Sequence, residues 1–554
     1  MRLALPASAG AILISLLAAP APCRAQAGTW ALTNVRIETV TKGVIERGTI
    51  VVRDGLIQAV GADVTAPADA RVVDLNGRTV YPGIIDLIST LGLPAATAPG
   101  GRGGAGGGAP ASAEGAPVGL EPDRMVADEI KASPGDVKGL RDGGITAVLV
   151  APARGAFRGL SALVPLGDSL SETAIIRSPV AENLGFESAP GRYPGTLLGV
   201  IAYERQAFYD ARRQALVLDR YRANPVGLQR PSYDERLAAL IPVLKGDLPA
   251  FFFARNENEI RRAVRIGREF GLKLTVVGAT EGFRAVDALK AMGQPVVVSV
   301  DFPKPPEVTG WDYRWTERHV PGDSAEADSA ARPAIEGNAA ALNAAGIRFA
   351  LSSGGQLRPA EFLGNVRKAI AAGLPRDVAL QALTIRPAEI AGVAAQLGSI
   401  EPGKIANLVV TDGDLLSDSG KVRDVFVDGE RFEVVAPPAA PRGRGGAPGA
   451  APPADIGGTW DVSVNTPQGS NQATMTVTQS GTSFSGQLTS EMGGAGVENG
   501  QVAGSAVSWS ITLSMGGQSL TITFHGDVEG NRMRGTADIP GMGSASFTAQ
   551  KRTP

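Results

Sequence analysis

The stretch Tyr81-Pro82-Gly83-Ile84-Ile85-Asp86-Leu87-Ile88-Ser89-Thr90 constrains the fold more than any other part of the chain. Apolar residues run almost unbroken from Ile84 and give way to small polar ones at Ser89 and Thr90. That is the pattern of a strand buried on both faces and ending at a polar rim, which belongs in a parallel sheet covered by helices. Side chains alternate between the two faces of a strand, so Asp86, Ile88 and Thr90 share one face.

Downstream segments supply partners for such a strand. Ile145–Val150, Leu160–Val164, a weaker stretch over 180–186, Ala250–Ala254, Leu274–Gly278, Pro295–Val300 and Ile347–Leu351 read as short strands. Segments with helical periodicity lie between them, Glu259–Phe270 most clearly. With the opening strand this makes about eight units in series, which predicts an α/β fold, a (β/α)8 barrel over residues 81–396. Residues 28–80 and 397–435 are β-rich on either side of it. The first block carries an Asp54-Gly55 hairpin turn. Residues 94–118 and 436–456 are dominated by Gly, Ala and Pro and read as a loop insertion and a linker. The insertion follows the first strand, so it emerges at the carboxyl end of the barrel, and whether it acts as a lid is left open. From Gly457 to the end the chain alternates in short strands punctuated by glycine, which predicts a small all-β barrel.

Composition narrows the function classes. The 554 residues carry 53 basic and 55 acidic side chains, a net charge of −2, which gives no electrostatic basis for nucleic-acid binding. Met1–Ala27 has a basic start, an interrupted apolar run and an Ala25-Gln26-Ala27 cleavage pattern, and reads as a signal peptide cut after Ala27 for export to a bacterial periplasm. The apolar run is short for a stable membrane span. The sole cysteine, Cys23, is lost with that segment, leaving no disulfide or thiol nucleophile. Two histidines are present, His319 and His525. Neither a nucleophile elbow nor a phosphate loop is found: Ser352-Ser353-Gly354-Gly355 lacks the Gly-x-Ser-x-Gly form.

The residues Pro82, Gly83 and Asp86 resemble the first barrel strand of the amidohydrolase superfamily, Pro-Gly-h-h-Asp-x-His-x-His with h apolar. The block Gly398-Ser399-Ile400-Glu401-Pro402-Gly403-Lys404-Ile405-Ala406-Asn407-Leu408-Val409-Val410 resembles the return segment of that family. The two flanks then correspond to a composite β-sandwich of the imidazolonepropionase-like type, and the likeness covers residues 30 to 433. It implies hydrolysis of carbon–nitrogen bonds in amides or cyclic amides by metal-activated water. The family's ligand positions are altered here. Ile88 and Thr90 stand where the first-strand histidines would be, and the fifth and sixth strands end in Phe253 and in Gly278-Ala279-Thr280-Glu281. Gly354 takes the place of the eighth-strand aspartate. Isoleucine offers no lone pair and threonine is a poor zinc ligand. Residues left as barrel-mouth candidates are Asp86, Thr90, Glu281, Asp301 and Ser353, whose carboxylates suit an oxygen-only metal or acid–base work.

Three readings follow. The first is an exported, degenerate amidohydrolase that binds a small molecule or a partner and needs no cofactor. The second is an active enzyme retaining a divalent metal on carboxylates. The third is a scaffold for the terminal barrel, whose Gly458-Thr459-Trp460 opening resembles lipocalin-like and avidin-like barrels. Self-association is left open, and His319 and His525 read as surface and strand residues. The linker generates a test: limited proteolysis should cut within residues 436–456 and release two folded pieces, because sequence of this composition makes few backbone contacts. A terminal piece that unfolds once released would show that the boundary is misplaced.

Overall fold

The structure, a computed structural model, describes residues 28–94, 121–168, 175–187, 194–302, 332–355, 358–434 and 454–552, apart from the hairpin tips 467–468, 491–492, 516–517 and 540–542. The expected signal peptide, nearly all of the 94–118 insertion, His319 and the linker up to residue 453 lie outside the described residues. The chain divides at Val435 into two compact units.

The first unit opens with β1 (Trp30–Glu38), β2 (Val44–Arg53), β3 (Leu56–Gly61), β4 (Arg71–Asp74) and β5 (Thr79–Pro82). Asp54 and Gly55 both have positive φ, 51° and 80°, as the tight hairpin turn between β2 and β3 requires. The barrel strands follow as β6 (Ile84–Ser89), β7 (Ile145–Val150), β8 (Phe157–Leu160), β9 (Ala162–Pro165), β10 (Glu182–Gly185), β11 (Ala250–Phe253), β12 (Leu274–Val277), β13 (Val296–Ser299) and β14 (Phe349–Ser352). The chain then returns to the first sheet through β15 (Leu408–Asp412), β16 (Lys421–Val427) and β17 (Glu430–Glu433). Strand β15 lies antiparallel on β5, Leu408 opposite Pro82 and Val410 opposite Val80. Both flanks therefore build one eight-stranded sheet. Its core is a cluster that includes Leu32, Ile50, Ile57, Val80, Leu408 and Phe426.

In the barrel, β10 to β14 pair in parallel, as do β6 and β7. The third position departs from the (β/α)8 repeat. Here β8 and β9 are one extended stretch interrupted at Ser161, with β9 antiparallel to β7 and β8 antiparallel to β10. The cause is chain length. Only residues 151–156 separate β7 from β8, and a parallel crossover needs a dozen or more. The strand has to come back the other way.

Two apolar layers hold the barrel. Ile85, Leu87, Leu149, Phe251, Val277, Val297 and Ala350 fill its interior. Leu184, Phe252 and Val276 face outward and pack with Phe208, Val243 and Phe362 from the surrounding helices. The helix Glu257–Phe270 is fixed at both ends, by a capping box between Asn256 and Glu259 and by Gly271 in the left-handed conformation.

The second unit is a closed barrel of eight antiparallel strands running from Gly458–Thr466 to Gly543–Lys551. Its interior is apolar and its outer face polar. Trp509 stacks on Phe524 at 4.9 Å, with Phe547 and Phe484 edge-on to it. Ala454 and Ile456 already belong to this unit, three residues ahead of the expected start: the Ala454 amide donates to Gly504 and the Trp460 indole to Ile456. His525 is exposed on the outer face.

Gly83 is the corner between the two sheets of the first unit. Its amide donates to Asn407 in the return segment, and the next amide, Ile84, donates to Gly144 beneath the barrel. A Cβ at residue 83 would run into the Thr146 side chain. Gly83→Ala should destabilise the protein by about 1–3 kcal/mol through overpacking. Adding Thr146→Ala should recover part of that loss in urea unfolding; strictly additive losses would show that the two sites do not collide.

Candidate functional site

Strand ends at the carboxyl side of the barrel surround a cavity of about 320 Å3. This is where barrel folds place their sites, because loops after the strands converge there. Ile88, Phe186 and Phe253 form apolar walls; Thr90, Arg158, Glu187 and Arg255 supply polar groups; Gly354 and Gly355 lie against it from the eighth strand.

Asp86 sits just below this mouth, 3% exposed. Its carboxylate accepts from the hydroxyls of Ser352 and Ser353 and from the amides of Ile88 and Ser353, at 3.2 and 3.3 Å for the amides. Burial pushes its pKa up, and these four donors pull it back only in part. Asp86 and Ser353 are thus brought together, as a link between the first and last strands.

Asp301 is held elsewhere, by two bonds from Arg255 Nη2 at 2.9 and 2.8 Å and by the Ser299 hydroxyl at 2.5 Å. Glu281 leaves the mouth altogether and accepts from the Glu257 amide at 3.0 Å, at the start of the helix Glu257–Phe270. The sequence candidates therefore separate into three places, and the three carboxylates do not form one centre.

Gly354 does more than lack a carboxylate. Its φ is +75°, a conformation that side chains rarely adopt, and a Cβ there would lie 2.5 Å from Ser299 Oγ and 2.9 Å from Asp301 Cγ. The Asp301–Arg255 pair has taken the room that an eighth-strand side chain would need.

Two arginines were missed by sequence reasoning. Arg158 lies on β8, its side chain 2% exposed, with Nη2 donating to Glu187 at 2.5 Å and its guanidinium 4.0 Å from the centre of the Phe253 ring. The available signal is a charged residue between Phe157 and Gly159 in an apolar stretch, but it lies ahead of the strand expected at Leu160–Val164, and β8 begins at Phe157. Arg255 stands two residues beyond Phe253, at the period that turns a strand residue to the same side.

A divalent metal fits this donor set poorly. Among the described residues no group of three or more His, Cys, Asp or Glu is arranged to hold one. The carboxylates nearest the mouth are already engaged, Asp86 by two serines and Asp301 by Arg255 and Ser299, which leaves few lone pairs for a cation.

The amidohydrolase family model matches residues 253–432. Over that segment, about a third of the chain, the sequence is similar to the amidohydrolase family. A 66-residue stretch is 47% identical to adenine deaminase 2 of Jannaschia sp. (strain CCS1), covering 12% of this chain and 10% of that protein. Another of 67 residues is 40% identical to imidazolonepropionase of Mesorhizobium japonicum, covering 10% and 16%. The chain thus matches well under a fifth of the length of each, and the activities in those names are not carried over. An amidohydrolase from Thermotoga maritima MSB8 has the same fold, with TM-score 0.58 and 22% identity over 73% of this chain and 99% of that one.

A buried charge beneath the site gives a test of its electrostatics. Glu182 on β10 shares its face with Leu184, toward the helix layer, and is 0% exposed. Neither carboxylate oxygen has a hydrogen-bond partner among the described residues. Burial is the main cause that raises its pKa well above the usual carboxylate value; the nearby Gly159 backbone opposes this and the charge of Asp123 adds to it. The folded protein therefore holds this proton more tightly than the unfolded chain, so stability falls as pH rises above about 4.3, the unfolded value, toward the folded one. Glu182→Gln should leave Tm unchanged near pH 4 and raise it at pH 7–8, by about 2–4 °C per kcal/mol recovered. Parallel Tm curves for variant and wild type across pH 4–8 would remove Glu182 as the source.

Proposed function

We propose that this protein is an exported, non-catalytic amidohydrolase relative that holds a small molecule at the barrel mouth. The observation that carries this reading is the Arg255–Asp301 pair beside Gly354. It fills the place that the family resemblance assigns to the water-activating aspartate, and it does so with a left-handed backbone that excludes a side chain. Fold and cavity persist while the groups needed to bind metal and position water are replaced. Ile88 and Phe253, at positions that the resemblance gives to ligands, become cavity wall. A pocket of about 320 Å3 with apolar walls and a few polar groups is of the size and make-up that small-molecule sites have. Export rests on the Met1–Ala27 pattern alone.

The test is elemental analysis of mature protein purified without chelator, together with hydrolysis assays on simple and cyclic amides in the presence of added zinc and manganese. Transition metal well below one per chain and no turnover are expected. One or two tightly held ions per chain, or amide hydrolysis abolished by Asp86→Asn or Asp301→Asn, would overturn the reading.

A further inference from the structure

We propose that the mouth recognises the carboxylate of a small organic acid, through the unengaged donors of Arg158 and Arg255, with the apolar body of the ligand against Ile88, Phe186 and Phe253. This rests on the reading of the mouth as a ligand site and adds the class of ligand.

The donors decide the class. Arg158 is buried and carries a charge that has to be satisfied where it lies. Nη2 is spent on Glu187, and Nε makes only a 3.4 Å contact with the Gly155 carbonyl, leaving Nη1 without a partner among the described residues. Phe253 covers one face of the guanidinium, which holds the group flat and fixes the direction of its remaining N–H bonds. Arg255 spends Nη2 alone on both oxygens of Asp301; its Nη1 and Nε are unengaged among the described residues, and its side chain is 52% exposed. Both residues line the same cavity. A guanidinium edge with unengaged N–H groups is the natural partner of a planar oxyanion.

The charge balance decides between anions. Glu187 and Asp301 each offset one arginine. Glu259, which also borders the cavity, accepts from the amides of Arg255 and Asn256 at 2.8 and 3.5 Å, and its charge lies at the start of a helix. No surplus positive charge remains, so binding depends on direction rather than on field. That suits a monoanion and disfavours a phosphate dianion. The apolar walls in turn favour an acid with a hydrocarbon body.

The experiment is calorimetric titration of the full-length protein with 3-phenylpropionate, its neutral amide 3-phenylpropionamide, and inorganic phosphate. The acid should bind at least about tenfold more tightly than the amide, and phosphate should not displace it. Arg255→Gln with Asp301→Asn removes the guanidinium while keeping the local charge balance, and should lower affinity for the acid about tenfold or more while leaving that for the amide unchanged. Arg158→Lys keeps the charge and loses the fork, so it should weaken the acid selectively and gives an independent measure if the double variant unfolds. Equal binding of acid and amide would overturn carboxylate recognition while leaving the mouth a ligand site. Displacement of the acid by phosphate at similar concentration would reduce the site to a general anion trap and overturn the choice of ligand. If neither organic probe binds, both the ligand class and the mouth as a binding site fail together.

Discussion

The barrel closes on one carboxylate. Strands β6 and β14 face each other across the gap between two sheets, and no backbone ladder joins them among the described residues. Asp86 spans that gap through the hydroxyls of Ser352 and Ser353 and the Ser353 amide. Leaving those donors unpaired in a site this buried would cost about 1–3 kcal/mol each. The same bonds fix where the eighth strand turns, and hence where Gly354 and Gly355 meet the cavity. Asp86 is thus a structural residue first, and its position below the mouth is what keeps the mouth's rim in register.

The rim itself depends on the reversed third strand. A standard parallel strand reached through a helical crossover would present other residues at the mouth. The antiparallel return at β8 instead delivers Arg158 beneath Phe253, where Glu187 from the end of β10 can reach it. On the opposite side, the capped helix after β11 holds the Arg255 backbone through Glu259, and Asp301 from the end of β13 meets its side chain. Four strands, β8, β10, β11 and β13, thus converge on two ion pairs. Each pair has one partner open to solvent, Glu187 or Arg255, and screening makes such pairs poor evidence of net stabilisation. Their better-supported consequence is geometric: they order the donors around the cavity.

Much of the fold was legible in the sequence because it follows from periodicity and turn chemistry. The buried strand at Ile84, the Asp54-Gly55 hairpin and the terminal all-β unit each have a local cause, while the return of Leu408–Asp412 to the first sheet is what the family resemblance implies. The reversal of β8 and β9 was not seen, although the six residues separating Val150 from Phe157 contained the reason. The site was legible only in part. Ile88, Thr90 and Gly354, the positions that the family resemblance singles out, line the cavity. Its polar groups depend on contacts between residues far apart in sequence, Arg158 with Glu187 and Arg255 with Asp301, and no local pattern encodes such pairs. Glu281 shows the converse limit: it follows a strand end closely in sequence, yet its carboxylate is drawn to a helix amide and away from the mouth.

These pairings also determine how the altered positions relate to one another. Gly354 has room only as glycine while Ser299 and Asp301 stay where they are, and Asp301 stays because Arg255 holds it. An aspartate placed at residue 354 would meet a strained backbone, a clash with Ser299 Oγ and a like charge at Asp301. Histidines at residues 88 and 90 alone would join a cavity whose carboxylates Glu187 and Asp301 are already paired with arginines, which leaves a metal too few ligands. Each ancestral-type substitution is therefore opposed by a neighbour that is itself well bonded, so their effects should be strongly non-additive.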